Sequence, residues 1–176
     1  MFNLINLENV RQEMIDEVNR DIREGNVYIS SRLNQKGRDY YAGTLLSSVT
    51  DGTPEVFYSN FGLDNFNSTE ERKRPKGGFT TVQIPNNANI TLCEGEFIRY
   101  YIRGVCLKAV SQNEKNVVAY RARHSDNPRR ESVEMEGQQF DAQKLLNDLR
   151  TESYVDKAMG LPPGPNSGMC AKLLDS

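Results

Sequence analysis

Three residues of one helical segment and one residue of the following strand could form a site for an anionic ligand. They are Arg99, Tyr100, Arg103 and Arg121. Arginine binds phosphate and carboxylate groups through paired hydrogen bonds, and an aromatic ring can stack against a cation. If these side chains converge in a cleft, they predict a small enzyme or a nucleotide- or anion-binding protein. The alternative, which the apolar surroundings favour, places the tyrosine ring in the core and the arginine head groups at its rim.

A second set of charged residues belongs to the long polar connection formed by residues 123–140. Asn127-Pro128 favours a turn, and the two arginines and the glutamate that follow it can form ion pairs. A long polar loop within a compact domain is usually functional or bound to a partner. We therefore predict a binding surface in this part of the chain, and its candidate residues are Arg121, Arg123, Arg129, Arg130 and Glu131.

Basic residues also cluster in segment 70–78, which we predict to be a solvated loop and which contains Arg72, Lys73, Arg74 and Lys76. Either basic cluster could contact a phosphate backbone or an acidic protein surface. Acidic residues beside both clusters largely cancel their charge, and the net charge of −2 excludes a generally basic nucleic-acid coat. The sequence therefore gives weak support to nucleic-acid contact.

The residue types that common catalytic and metal sites need are scarce. His124 is the only histidine and lies in a charged loop, where a solvated imidazole is expected. Three scattered cysteines and one histidine do not make a zinc site, and no GxxxxGK[ST] or GxGxxG motif is present. We predict no catalytic residue, no metal and no cofactor. A histidine-free carboxylate site stays open, so the sequence favours a protein without enzymatic activity but does not decide the point.

The elements that must position these residues indicate a single α+β domain. Residues 92–111 predict a helix that is apolar around most of its circumference and lies at the centre of the fold, with Thr91 and Glu94 as its capping box. A small mixed or antiparallel sheet packs on this helix. Its expected strands are 79–84 and 117–122, with a further short strand at 27–30. Flanking helices are predicted at 7–24, at 38–49, after Asp141, and as one turn at 154–159.

The chain divides by composition into a domain over residues 1–160 and a Pro/Gly-rich C-terminal arm over 161–176. The arm combines a semi-rigid spacer with an apolar end, and it can pack on its own domain or on a neighbour. No apolar run is long enough to span a bilayer, and the N-terminus lacks the pattern of a signal peptide. We therefore expect neither membrane insertion nor secretion, and three free thiols in a reducing compartment.

Several segments together resemble a family of proteins encoded by phages and prophages. They are EGEFIRYYIRGVCLKA (94–109), VAYRARHSDNPRRES (118–132), FDAQKLLNDLR (140–150) and GLPPGPNSG (160–168), and GNVYISSRLNQKGRDYY (25–41) fits the same resemblance. The likeness spans nearly the whole chain. It implies a phage context, with a location in the virion or the bacterial host cytoplasm, and it carries no catalytic residues over to this chain.

From the resemblance and the absence of a catalytic motif we predict a non-enzymatic phage structural protein. It would be capsid-associated or part of the head–tail connector or neck, and its partners would be copies of itself or other virion proteins. Long polar loops and a terminal arm suit such assembly. The alternatives are the small enzyme or nucleotide- or anion-binding protein described above, and a phage-encoded inhibitor of a host protein.

Overall fold

The computed structural model describes residues 1–162 and 167–174 as one α+β domain, which confirms the predicted fold class. Within these ranges the elements are α1 (Arg11–Glu24), α2 (Gln35–Asp51), α3 (Pro54–Asn60), β1 (Thr69–Lys73), β2 (Phe79–Gln83), α4 (Ala88–Ser111), β3 (Asn116–Arg121), α5 (Arg130–Met135), β4 (Gln139–Asp141), α6 (Ala142–Thr151), α7 (Val155–Ala158) and β5 (Met169–Lys172). Short 3-10 helices lie at Leu7–Asn9 and Leu63–Asn65.

Helix α4 is the centre of the domain, as its apolar circumference predicts. Helices α1, α2, α3 and α6 and strands β3 and β5 all contact it. Phe97, Ile102 and Val105 are fully buried, and each such side chain contributes about 1.5–3 kcal/mol to stability by leaving water. Gly104 lets α1 approach closely, because a Cβ at this position would lie only 2.8 Å from the Met14 Cγ atom.

The predicted capping box at the start of α4 is wrong. The helix begins at Ala88, so Thr91 already lies inside it, and the preceding Asn87 makes no side-chain capping hydrogen bond. The Glu94 carboxylate is instead engaged by Arg123, whose Nη1 donates to Oε2 at 2.8 Å. A long-range ion pair has therefore replaced the local interaction that the sequence spacing suggested.

The described strands form two separate antiparallel sheets. One has the order β4-β3-β5 and packs beside α4, and the other is the isolated pair β1-β2. The predicted strand 117–122 corresponds to β3. The predicted strand 79–84 corresponds to β2, but β2 pairs with β1 in the segment expected to be a loop. The strand predicted at residues 27–30 is wrong, because these residues pair with no other strand. The isolated β-bridge that follows them in the chain joins Leu33 to Phe66.

The C-terminal segment packs on its own domain, which was one of the two alternatives left open by the sequence. Strand β5 pairs with β3, with Tyr120 opposite Cys170. Cys170 is fully buried, and the Leu173 amide donates to the Asn6 side-chain oxygen at 3.1 Å. The predicted spacer lies partly at 163–166, outside the described residues, as do 175 and 176.

The helices at the two ends of the chain agree with the sequence except at their boundaries. The first predicted helix is divided into the 3-10 turn and α1, and α2 begins three residues before its predicted start. The predicted cap of α6 is confirmed, because the Asp141 carboxylate accepts a hydrogen bond of 2.8 Å from the Lys144 amide. Helix α7 is the predicted single turn.

Candidate functional site

Arg103 lies at the centre of a buried ionic network between α4 and α1. Its Nε and Nη2 atoms donate to the Glu17 carboxylate at 2.8 and 2.5 Å, and its Nη1 and Nη2 atoms donate to Asp21 at 2.6 and 3.0 Å. The Arg103 side chain has no exposed surface, and each carboxylate side chain is only 2% exposed. This guanidinium group therefore uses four of its five N–H donors on two carboxylates of its own chain.

Further contacts extend the network along α4 and to α6. The Tyr100 hydroxyl donates to Asp21 at 2.8 Å, and the Arg103 guanidinium lies 4.6 Å from the centroid of the Tyr100 ring. Arg99 donates to Glu96 at 2.7 Å, and Arg150 donates to Glu17 at 2.5 and 3.0 Å. We call these three carboxylates and three guanidinium groups the α4 network: Glu17, Asp21, Glu96, Arg99, Arg103 and Arg150. Arg20 adds a further ion pair with Asp21, at 3.2 Å, from the partly exposed side of α1.

The α4 network divides the anion site predicted from the sequence. Arg99, Tyr100 and Arg103 lie together on α4. Arg121 lies at the end of β3 and belongs to a different cluster, in which it is bound to Glu136. The tyrosine ring lies in the core as expected, but the prediction that the arginine head groups lie at the rim is wrong, because Arg99 and Arg103 are both buried with the ring. The geometry therefore gives no support to an anion bound jointly by these four side chains.

The α4 network makes the free energy of unfolding depend on pH under acidic conditions. Burial by itself raises the pKa of Glu17 and Asp21, but other interactions outweigh burial and lower both pKa values. For Glu17 these are hydrogen bonds and charges from Arg150 and Arg103, and for Asp21 they come mainly from Arg103 and the Tyr100 hydroxyl. A carboxylate whose pKa is lower in the folded state stabilises the fold above its unfolded pKa and loses that contribution as pH falls.

We therefore expect the free energy of unfolding to fall as pH drops below about 4.5 and to keep falling through the lowered pKa values. Urea unfolding of the wild-type protein between pH 7 and pH 3 measures this dependence. The variant Glu17→Gln, compared over the same range, should have a shallower decrease because one linked proton is absent. An equal slope in both proteins would contradict the assignment.

The arginines around β3 fasten the C-terminal segment and the N-terminus to the domain. Arg121 donates to Glu136 at 2.7 Å, to the Ser132 hydroxyl and to the Ser167 carbonyl. Arg123 pairs with Glu94, and its guanidinium lies 4.8 Å from the centroid of the Phe2 ring. These two candidate binding residues have structural partners of their own chain.

The remaining candidates of the polar connection, Arg129, Arg130 and Glu131, do not converge on one site. Arg129 donates to Asp156 and to the Pro162 carbonyl, at 2.7 and 2.8 Å, and so joins α5 to α7. Arg130 pairs with Glu134 one helical turn away, and its side chain is 88% exposed. Glu131 is also exposed. Binding by this surface stays a prediction, and α5 shows that part of the predicted loop is helical.

A cleft of about 620 Å³ opens beside the first turns of α4. Its wall comes from the segment before α2, the base of β1, the N-terminal half of α4 and the residues between α6 and α7. Its lining includes three aromatic rings, four hydroxyl-bearing serine and threonine residues, and three charged side chains. The charged residues are Arg32, Glu70 and Glu96.

Glu96 joins this cleft to the α4 network. The residue is only 3% exposed, yet it lines the cleft. Oε2 accepts from Arg99, and no residue of the described ranges donates to Oε1, which is not one of their fully buried unpaired atoms. Burial raises the Glu96 pKa, and the nearby positive charges of Arg99 and Arg103 only partly offset this. Two buried atoms without a hydrogen-bond partner among the described residues, the Tyr41 hydroxyl and the Arg99 Nε, lie near Glu96.

The pair β1-β2 projects from the domain as a hairpin. Of the described elements, β1 and β2 pack extensively only against each other. Residues 71–79 are all exposed. The turn at its tip closes by a 2.9 Å hydrogen bond from the Arg74 amide to the Gly78 carbonyl. Gly77 and Gly78 have φ angles of 91° and 77°, which favour glycine.

Sequence reasoning did not identify the partners of Arg103 or the cleft. A signal for the partners was present, since Met14, Glu17, Val18 and Asp21 share one helical face, and carboxylates within an apolar face require compensating charge. No comparable signal marked the cleft, because its lining comes from segments far apart in the chain.

The described residues contain no group of three or more His, Cys, Asp and Glu side chains arranged to hold a metal ion. Burial raises the pKa of all three cysteines, that of Cys170 to about 12, so these thiols are poor nucleophiles. None of the helices in the described part of the chain has the length and apolar character needed to cross a membrane. Comparisons with family models, curated proteins and solved structures found no match for this chain.

Proposed function

We propose that this protein is a non-enzymatic structural protein that self-assembles through the projecting hairpin. The observation that carries the proposal is the open edge of β2. An isolated two-stranded hairpin is marginally stable in water, and its unpaired edge is a template for a further strand. Addition of a strand from a second copy would complete a larger sheet and stabilise the hairpin.

The hydrogen-bond pattern of the hairpin identifies which backbone groups are open. The Arg74 amide donates to the Gly78 carbonyl, and the Ile84 amide donates to the Ser68 carbonyl at 3.0 Å. In an antiparallel pair, every second residue bonds to the partner strand. Even-numbered residues of β2 therefore face β1, and the backbone groups of three residues face away from it. Those residues are Phe79, Thr81 and Gln83, and their outward groups bond to no other described residue.

The two strands differ in their suitability for pairing with another chain. Strand β1 has the sequence TEERK, and charged side chains on a strand oppose edge-to-edge association. Strand β2 has the sequence FTTVQ, which is uncharged and rich in β-branched and aromatic residues. Phe79 at its start is 65% exposed. The composition therefore favours strand addition at β2.

A second copy fits this edge by two-fold symmetry. If β2 pairs with itself in antiparallel orientation about Thr81, the two Thr81 residues exchange both of their outward backbone hydrogen bonds. Thr80 then lies opposite Val82 of the second copy, and Phe79 lies opposite Gln83 of the second copy. The resulting four-stranded sheet has both charged strands outermost, which limits further growth.

The setting that we propose for this assembly is a phage virion, with the protein associated with the capsid or with the head–tail connector or neck. The resemblance of the sequence segments supports this setting. A gene position beside genes for a portal, a maturation protease or a shell protein would strengthen it.

The substitution Thr81→Pro tests the proposed assembly. Proline removes an amide that faces away from β1, so the hairpin ladder is retained while the added strand loses both central hydrogen bonds. We expect a concentration-dependent dimer for the wild-type protein and at least a tenfold weaker dimer for Thr81→Pro. Sedimentation velocity over a range of concentrations measures both.

The matched control is Thr81→Val, which keeps the amide and the β-branched shape and should dimerise like the wild type. Circular dichroism and the midpoint of thermal unfolding show whether each variant is folded. A wild-type protein that stays monomeric at high concentration, or a dimer that Thr81→Pro leaves unchanged, would remove the basis of the proposal.

A further inference from the structure

We infer that the cleft beside the N-terminal half of α4 binds a small zwitterion, a molecule that carries both an ammonium group and a carboxylate. The inference rests on the juxtaposition of Glu96 and Arg32 in the lining of one cleft. It is independent of the proposed assembly, because the cleft lies outside the open edge of β2. The cleft volume of about 620 Å³ is within the usual range for small-molecule sites.

Glu96 presents an acceptor for the ammonium group. Its Oε2 atom is held by Arg99 at 2.7 Å, which fixes the carboxyl group in one orientation. Its Oε1 atom has no hydrogen-bond partner among the described residues, although the side chain is 96% buried. An ammonium group of a ligand can therefore donate to Oε1 without displacing a hydrogen bond of the protein.

Arg32 presents donors for the carboxylate. Its Nε and Nη2 atoms donate to the two oxygens of Glu70 at 2.7 and 2.9 Å, which holds the guanidinium plane fixed. Nη1 donates to no residue in the described part of the chain, and the side chain remains 32% exposed. A guanidinium group held in this way loses little conformational entropy when it binds an anion.

The charges in the lining select a zwitterion over a simple ion. Arg32, which is ion-paired with Glu70, supplies the guanidinium group of the lining, and Glu96 is the more deeply buried acidic group. An anion without a donor would leave Glu96 unsatisfied, and a cation without an anionic group would be repelled by Arg32. A zwitterion satisfies both groups without adding net charge.

The rest of the lining fits an organic molecule of this kind. Tyr28, Phe66 and Tyr154 contribute rings against which an alkyl chain or an ammonium group can pack. Tyr154 is 62% exposed and Phe66 is 6% exposed, so one ring lies at the mouth of the cleft and another lies deeper. Gly95, which has no side chain, also lines the cleft beside Glu96.

The test is isothermal titration calorimetry with ligands that differ in the separation of the two charges. The probes are glycine, β-alanine, 4-aminobutyrate, 6-aminohexanoate and glycylglycine, with acetate and ethylamine as single-charge controls. We expect saturable binding with a Kd below about 10 mM for at least one zwitterion, and at least tenfold weaker binding of both controls. No saturable binding in this range, or equal binding of acetate or ethylamine, overturns the inference.

Two variants assign binding to the cleft. Glu96→Gln and Arg32→Met should each weaken the best probe at least tenfold, while Arg130→Met, which changes an exposed ion pair elsewhere, should leave binding unchanged. Arg32 is partly exposed, so Arg32→Met keeps the test valid if Glu96→Gln does not fold. Unchanged binding in a folded variant overturns the inference. Titration in the Thr81→Pro background separates ligand binding from assembly.

Discussion

Replacement of Arg103 by methionine is expected to lower the free energy of unfolding by about 3–5 kcal/mol. The substitution leaves Glu17 and Asp21 buried, and it removes four hydrogen bonds that these carboxylates accept from Arg103. Arg150, Arg20 and Tyr100 still contact them, but both arginines are partly exposed, so the surplus negative charge in the core is less fully compensated. Methionine retains the apolar stem of the arginine side chain, so most of the loss reflects the missing charge compensation.

Urea unfolding monitored by circular dichroism measures this effect, and thermal unfolding should show a midpoint lower by roughly 10 °C. The matched control is Lys144→Met, which removes one partner of an exposed pair with Asp148 and should cost less than about 1 kcal/mol. Asp21→Asn combined with Arg103→Met should recover part of the loss, because the surplus charge is then removed. A cost for Arg103→Met no larger than that for Lys144→Met would contradict our account.

The α4 network explains why a helix that reads as apolar carries charges at Glu96, Arg99 and Arg103. Burying an ion pair is seldom more stabilising than burying apolar residues of the same size, because desolvation offsets the attraction. The ion pairs instead constrain how the two helices pack. Arg103 can bond to both Glu17 and Asp21 only when α1 has one rotation about its axis and one position along α4. We therefore regard the network as the element that fixes how these two helices dock.

The architecture was predictable where local pattern and burial coincide. The continuous apolar character of residues 92–111 identified the central helix, and the Asp141 cap and the β3 strand followed from local residue types. The strand predicted at 27–30 was wrong, because strand propensity does not supply a hydrogen-bonding neighbour. The charged segment at 69–73 becomes a strand only because β2 pairs with it across a glycine turn, and its composition alone indicated a loop.

The candidate sites were less predictable than the fold. Arg99 and Arg103 were identified as chemically significant, but whether they bind a ligand or carboxylates of the same chain depends on helix docking, which one sequence does not reveal. The cleft brings Arg32, Glu70 and Glu96 together from three separate segments. Each residue looks ordinary in the sequence, and only tertiary structure gives Glu96 its burial and its raised pKa.

Close backbone approach at the start of α2 gives the second large expected effect. Gly37 lies in the first turn of α2, and a Cβ atom at this position would be 2.1 Å from the Asn65 carbonyl oxygen and 3.1 Å from its carbonyl carbon. Both atoms belong to the backbone of a segment that is itself tied to α2, since the Asn34 amide donates to the same oxygen at 3.1 Å. Neither side can move without loss of that hydrogen bond.

We therefore expect Gly37→Ala to lower the free energy of unfolding by about 1–3 kcal/mol, despite the higher helix propensity of alanine. Gly43 in the same helix is the matched control: a Cβ there meets no atom within 4 Å, so Gly43→Ala should raise stability by about 0.5–1 kcal/mol. Urea unfolding of both variants measures the difference. Effects of the same sign would show that propensity, and not the contact with Asn65, determines stability at Gly37.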